Sequence, residues 1–259
     1  MSFARGLAVQ ADVVGALILR ETRTRFGAHQ LGYLWALLEP ALMILTFVIL
    51  FAAGNRPAPE GMDIYSFIAT GIVPYLVFAN TANIVSHAIR GNRGLLFYPH
   101  VQPLDLVIAR SLLESVTYAA VFIALMLGRA LYVQELEIDS ALRTVGGFTL
   151  AAMLGASLGL VFCTLDQFSQ VVDRARGPLM RPLFWISGLF FTAEQLPDNV
   201  RDLMLINPVL HVIEMVRDGW FVGYHDEHVS VFYVSAWILG LAFVGLALER
   251  VVRRRIELT

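Results

Sequence analysis

The chain contains no lysine: all 19 of its basic side chains are arginine. That absence removes several chemistries at once. A GxxxxGK[ST] phosphate loop, a Schiff-base lysine and a Ser–Lys dyad each need an ammonium group that this sequence does not carry. If ATP drives the protein, a separate chain hydrolyses it. Cysteine is scarce too. Cys163 stands alone, so no intrachain disulfide can form and cysteine usage does not report on compartment. The zinc-protease pattern HExxH is missing, and no paired carboxylates, GxSG-type serine or His/Cys set converge as an enzyme site requires. Charged residues make up only 15%, and the net charge of −2 gives no case for nucleic-acid binding.

Apolar residues are what the chain has in excess. They account for 57% of the sequence, against roughly 45–50% in soluble domains. The class is therefore integral membrane protein, and no polar stretch is long enough to build a separate soluble domain. Five segments have the length to span, at 34–53, 64–88, 106–128, 143–163 and 230–249. Charges lie between them, apart from Glu39, Arg110 and Glu114. There is no internal repeat and no linker, so residues 1–259 are read as one domain.

The N-terminal stretch "DVVGALILRETRTRFGAHQ" is not read as a signal peptide, because Arg20, Arg23 and Arg25 stand where a small-residue cleavage site belongs. Val14, Leu17 and Ile18 share one helical face, away from Asp12, Arg20 and Arg23. Residues 1–33 are expected to form an amphipathic helix in the membrane interface, with Arg20, Arg23, Arg25 and Phe26 at its far end.

Arginine placement sets the orientation. With the N-terminus in the cytoplasm, thirteen arginines fall inside and five outside, Arg110 being uncounted within a span. Six crossings bring the "RVVRRR" tail back to the same side. The sixth segment is defective. "FWISGLFFTAEQLPDNV" (184–200), part of a run starting near Pro178, stays apolar only to Ala193 and then meets Glu194, Gln195, Pro197 and Asp198. A span needs about 20 residues, so this run is expected to reach outward and then fold back as short helices broken at Pro197 and at Asn207–Pro208. Non-helical backbone at that depth must sit against protein or a water-filled cavity, so residues 184–225 are expected to form a gate.

Other residues carry readings of their own. The inner loop 90–103 holds Arg90, Asn92 and Arg93, then Leu95, Leu96, Phe97 and Tyr98, closed by Pro99 and Pro103. Such a loop can present an apolar knob to a groove on a partner, or bury it against its own spans. Arg110 and Glu114 are spaced to pair along one helix face, structurally or beside an aqueous path. Glu39 before Pro40 suits a helix dipole or a gating kink. Tyr33, Trp35, Tyr65, Tyr75, Phe78, Trp185, Phe190 and Phe191 either pack and line membrane interfaces or offer flat stacking faces in a channel. His211 and Glu214 lie in the broken region, and His225–His228 reads as a solvated outer loop with no metal assigned.

Three stretches, "RETRTRFGAHQLGYLWALLEPAL" (20–42), "NRGLLFYPHVQPLDLVIARSLLE" (92–114) and "LFWISGLFFTAEQLPDNVRDLMLINPVLHVIEMVRDGWF" (183–221), resemble the membrane subunits of type-2 ABC exporters. Within that class they are most similar to permeases for capsular polysaccharide in Gram-negative bacteria. The resemblance implies an all-α integral membrane fold of six transmembrane helices. It adds an N-terminal interface helix, a coupling loop at 90–103 and a re-entrant periplasmic hairpin before the last span. It further implies a homodimer in the inner membrane with both termini cytoplasmic, and a cytoplasmic ABC ATPase that binds ATP and Mg. The cargo would be a lipid-linked polysaccharide, and a periplasm-spanning co-polymerase a further partner. The chain itself would need no cofactor and would not be an enzyme. O-antigen, teichoic acid or a small amphiphile are the alternative cargoes, and an intramembrane enzyme is the rival class.

Overall fold

The computed structural model describes residues 3–26, 31–59, 61–96, 98, 101–135, 137–169 and 171–256; the side chains of 3–7, 25–26, 31–33 and 253–256 are not described. Phe97 and Pro99 therefore lie outside the described residues, as do the side chains of Arg25, Phe26 and Tyr33. Every regular element among the described residues is a helix. The order is α1 (Phe3–Phe26), α2 (Leu31–Ala53), α3 (Ile64–Ser86), a 3-10 helix (Arg90–Leu95), α4 (Pro103–Val133) and α5 (Ala141–Leu165). Then follow α6 (Val171–Ile186), a 3-10 turn (Ala193–Gln195), α7 (Asp198–Met204), α8 (Pro208–Trp220) and α9 (Val231–Ile256).

Local chemistry places the helix ends. Asp63 precedes α3 and accepts the Ser66 amide at 3.0 Å, satisfying one of the free donors at a helix start. Pro103 opens α4 where a missing N–H costs nothing, and Asp105 reaches back to the Gln102 amide at 2.9 Å. That helix stops at Gln134, which has a left-handed φ of 61°.

Five helices are long and apolar enough to cross a membrane: Leu34–Ala53, Ile64–Ser86, Pro103–Val133, Ala141–Leu165 and Val231–Val252. They match the five segments read from sequence: the first is identical, the second stops two residues earlier, the third and fourth extend at both ends, and the last runs three residues further. The sixth segment differs. Its helix, α6, begins at Val171 rather than near Pro178, carries Pro178 and Pro182 inside, and stops at Ile186. Its 16 residues rise only about 24 Å.

α3 is the centre of the bundle, packed by α5, α4, α8 and α2. Its approach to α5 is close because a side chain is missing at the crossing. A Cβ on Gly155 would lie 2.4 Å from the Phe78 carbonyl oxygen. Phe67, Ile68, Ile72 and Phe78 of α3 form one core with Phe122 of α4 and Leu154 of α5. On α1, Val14 and Leu17 of the apolar face are buried, against Ile89, Leu106, Val107 and Cys163. Their apolar face thus meets protein at the foot of the bundle.

Ion pairs mark the two ends. At one, Arg129 of α4 meets Asp63 at 3.0 Å and Arg143 of α5 meets Asp218 of α8 at 3.1 Å. At the other lie α1, the loop after α3, and the turn between α5 and α6.

Candidate functional site

At the α1 end, the loop residues singled out from sequence divide into two groups. Asn92 is buried and points inward; it donates to the Ala88 carbonyl at 3.1 Å and accepts from Arg20 of α1 at 3.0 Å. Leu95 and Leu96 are half-buried against the core under α1, whereas Tyr98 is exposed. Arg90 and Arg93 reach across to the end of α5, Arg90 to Asp166 at 3.5 Å and Arg93 to Gln167 at 3.3 Å.

A second layer of this junction was not foreseen. Arg90 also approaches Asp173 of α6 at 3.9 Å. Asp173 pairs with Arg176 at 3.1 Å, and Arg176 contacts His87 at 2.8 Å and the Ser86 hydroxyl. The loop is thereby tied to the foot of α6 through side chains from three segments. Burial, then the Arg176 charge, lowers the His87 pKa below its ordinary 6.5. The signal for this layer was the acid–base spacing "DRAR" after α5, which arginine counting treated only as an inner-side marker.

Arg110 is another partner choice the spacing did not show. Its guanidinium lies 3.0 Å from Glu21 of α1 and donates to the Ile84 carbonyl at 3.0 Å. Glu114, the expected partner one turn on, is buried. Glu39, Trp35 and Arg23 are exposed on their helices.

The opposite end contains the broken segment. α6 ends at Ile186, and Gly188 takes φ 80°, a left-handed turn that only glycine enters freely. Residues 187–192 then run without helix. Their backbone carbonyls are taken up by Arg217 of α8, which donates to Phe191 O at 2.8 Å and Leu189 O at 3.1 Å. Arg217 also meets Glu214 at 3.0 Å and lies over the Phe67 ring at 4.3 Å, with both charged side chains almost wholly buried at 0% and 1% exposure. Glu214 accepts from Tyr224 OH at 2.7 Å and from the Ala193 amide at 3.3 Å.

The two helix breaks are where the prolines put them. Pro197 precedes α7, and Asn207 caps α8 by accepting the Val209 amide at 3.0 Å. The Asn207 amide donates to Ser187 Oγ at 2.8 Å, joining the hairpin to the end of α6. His211 is satisfied on both ring nitrogens. Nε2 donates to Leu205 O at 2.8 Å, and Nδ1 accepts from the Ser230 amide at 3.3 Å. Glu194 is exposed. His225 is spent on Asp218 at 2.9 Å. Sequence reading named Glu214, Asn207 and His211 but counted Arg217 only as an outer arginine.

Aromatic rings gather where α2 meets α6 and the unwound strand. Phe47 and Phe190 have centroids 4.3 Å apart, and Phe184 lies 5.3 Å from Tyr75 and 5.2 Å from Trp185. Trp185 is 61% exposed on the outer side of this group, with Phe190 and Phe191 half-buried behind it. Tyr75 donates to Met180 O at 3.1 Å and Phe78 is buried, so those two pack the core.

A bundle of five membrane-length apolar helices, with one short helix and a folded-back hairpin, is the architecture of an integral membrane protein. The chain belongs to the ABC-2 type transporter family, whose sequence profile matches residues 12–221. It is 36% identical over 245 residues to the polysialic acid transport protein KpsM of Escherichia coli, covering 95% of each chain. It is 30% identical over 259 residues to the capsule polysaccharide export inner-membrane protein BexB of Haemophilus influenzae, covering 99% of this chain and 97% of that one. It is also 30% identical over 249 residues to the capsule polysaccharide export inner-membrane protein CtrC of Neisseria meningitidis serogroup B, covering 95% and 93%. Fold and family together make this chain a transmembrane permease subunit of an ABC exporter.

Proposed function

We propose that the chain carries a lipid-linked, capsule-type polysaccharide outward across the inner membrane as a homodimer. A separate ATPase powers it from the cytoplasm, and a periplasm-spanning co-polymerase receives the polymer. Both termini and the Arg90–Leu95 loop then face the cytoplasm, and the α7–α8 hairpin faces the periplasm. The observation that carries the reading is likeness to capsule exporters along nearly the whole chain, at 36% identity to the polysialic acid transporter.

The geometry supports it on two counts. A polysaccharide cannot cross hydrocarbon alone, because its hydroxyls and charges would lose their hydrogen bonds. The exposed Trp185 face, with Phe190 beside it, offers stacking surface for sugar rings where α6 stops short. The Asp173–Arg176–His87 junction links the ATPase-facing loop to that same helix. Tyr98 is the exposed docking side chain. No catalytic residue and no cofactor are assigned to this chain; ATP and Mg belong to the partner.

The test is deletion of the gene in its native strain, with glycan measured inside cells and on their surface. Intact synthesis with polymer retained inside supports the reading. Normal surface glycan with a retained small amphiphile would replace polysaccharide by a drug-like cargo, and loss of synthesis would point to an enzyme.

A further inference from the structure

α4 and α5 diverge on the side away from α3, leaving a cavity of about 600 Å³ between two membrane-crossing helices. Val116, Ile123 and Leu127 of α4 face Val145 and Met153 of α5 across it. Four hydroxyls also lie in its wall, and each spends its proton on the carbonyl four residues back. Ser111 donates to Val107 O, Ser115 to Ser111 O, Thr144 to Ser140 O and Thr149 to Val145 O. The cavity is chemically a hydrocarbon slot, which excludes sugar. Val116, Ile123 and Val145 are more than half exposed along it, so the slot opens sideways to the surrounding bilayer, and its volume accommodates an acyl chain.

A second, polar compartment adjoins the slot across Trp220. Trp220, at the last turn of α8, lines the slot and also lines this pocket of about 240 Å³ at the polar end of the bundle. That pocket holds Asp63, Arg129, Glu135 and Glu137. Arg129 uses Nη2 on Asp63 at 3.0 Å, and its buried Nε has no hydrogen-bond partner among the described residues. A guanidinium set among three carboxylates presents both signs of charge, which matches a headgroup that carries both. The phosphate goes to Arg129 and the ammonium to Glu135 and Glu137. An anionic headgroup would meet three carboxylates and one arginine already engaged.

We propose that an amine-bearing zwitterionic glycerophospholipid occupies this site as a resident ligand, its acyl chain between α4 and α5 and its headgroup at Arg129. It is a lipid of the surrounding bilayer, distinct from the cargo. Because Trp220 is a wall of both compartments and packs edge-on to Phe122 at 5.2 Å, the lipid braces the end of α8 that carries Arg217.

The experiment uses the full chain in vesicles of mixed phosphatidylethanolamine and phosphatidylglycerol, each carrying in turn a photoreactive acyl chain. Labelling is expected at Val116 and Val145, several-fold stronger from phosphatidylethanolamine. Ala119→Phe, which fills the slot, should cut labelling about ten-fold at unchanged insertion. Arg129→Gln with Glu137→Gln should erase the preference while leaving some acyl labelling. If Ala119→Phe fails to insert, the headgroup variant and the lipid preference decide. Equal labelling by both lipids, labelling that survives Ala119→Phe, or protection of Val116 by a co-purifying protein span would each overturn the proposal.

Discussion

Arg217 and Glu214 form an ion pair at 3.0 Å inside α8, and the same guanidinium holds two carbonyls of the unwound strand that follows α6. A buried charge pair is retained at a desolvation cost, and here it does something an apolar pair cannot. It satisfies backbone oxygens that have no helix of their own. One guanidinium thereby links α8, the unwound segment and the α3 ring Phe67, alongside the Asn207–Ser187 and Glu214–Ala193 bonds.

Replacing Arg217 with Met should be among the most damaging single changes in the chain. It strands the Glu214 charge and two carbonyls together, and breaking a buried pair costs about 3–5 kcal/mol. Glu214→Gln combined with Arg217→Met should recover only part of this, because Leu189 and Phe191 still lack their donor. Thermal unfolding of the purified variants in one detergent checks the order. Equal stability of Arg217→Met and the native protein would show that this guanidinium does not hold the unwound segment.

The ionic junction at the other end should behave differently. Its pairs are partly exposed, with the Arg90 side chain at 44%, and such pairs contribute about 0–1 kcal/mol each. Asp173→Asn should therefore leave insertion and ATPase co-purification intact while uncoupling hydrolysis from export several-fold. The swap Arg90→Asp with Asp173→Arg should restore coupling in part. Tyr98→Asp acts earlier and should weaken ATPase co-purification itself. If Asp173→Asn exports normally, force reaches α6 by another route.

The partition between what sequence revealed and what it hid follows interaction range. The five spans were legible because length and apolarity are local properties. The breaks at Pro197 and Asn207 were legible because proline acts on its own neighbours. Arg110 was not, since the i+4 rule offers Glu114 and cannot see Glu21 arriving on α1. The start of α6 was missed because Pro178 looks like a first-turn proline, while the helix tolerates it in its interior. Arg217 was counted only as an outer-side arginine: no periodicity encodes a guanidinium aimed at carbonyls 26 and 28 residues away.

Acid should loosen the junction through His87. Its pKa is lowered by burial and then by Arg176, with Asp173 and Asp166 opposing and Arg110 adding to the lowering. The folded form binds fewer protons than the unfolded one, so stability falls as pH drops through 6.5 and levels off below the lowered value. His87→Gln has no such group and should lose less stability between pH 7.5 and 5.5. Melting curves at the two pH values give the comparison. An identical acid response in both proteins would place the titrating group elsewhere.

The last prediction concerns the direction in which the hairpin faces. Leu203 of α7 and Ile206 after it are 64% and 59% exposed, apolar side chains at the rim rather than in the core. Arginine bias puts this rim outside, on the same face as the 135–139 loop and residues 225–228. Cysteines placed singly at Leu203, Ile206, Ile138 and Glu227 should react with an impermeant thiol reagent in intact cells. Cysteines at Arg93 and Arg250 should react only after the membrane is opened. Cys163, fully buried against Ile89 and Leu106, is first replaced by Ala to clear the background. The decisive contrast is between Leu203 and Arg93. α6 is too short to cross squarely, so its far end leaves the membrane only if the hairpin completes the passage. Labelling of Leu203 from the cytoplasmic side alone would mean that α6 turns back without crossing. That result would reverse α9 and place the arginine-rich tail outside.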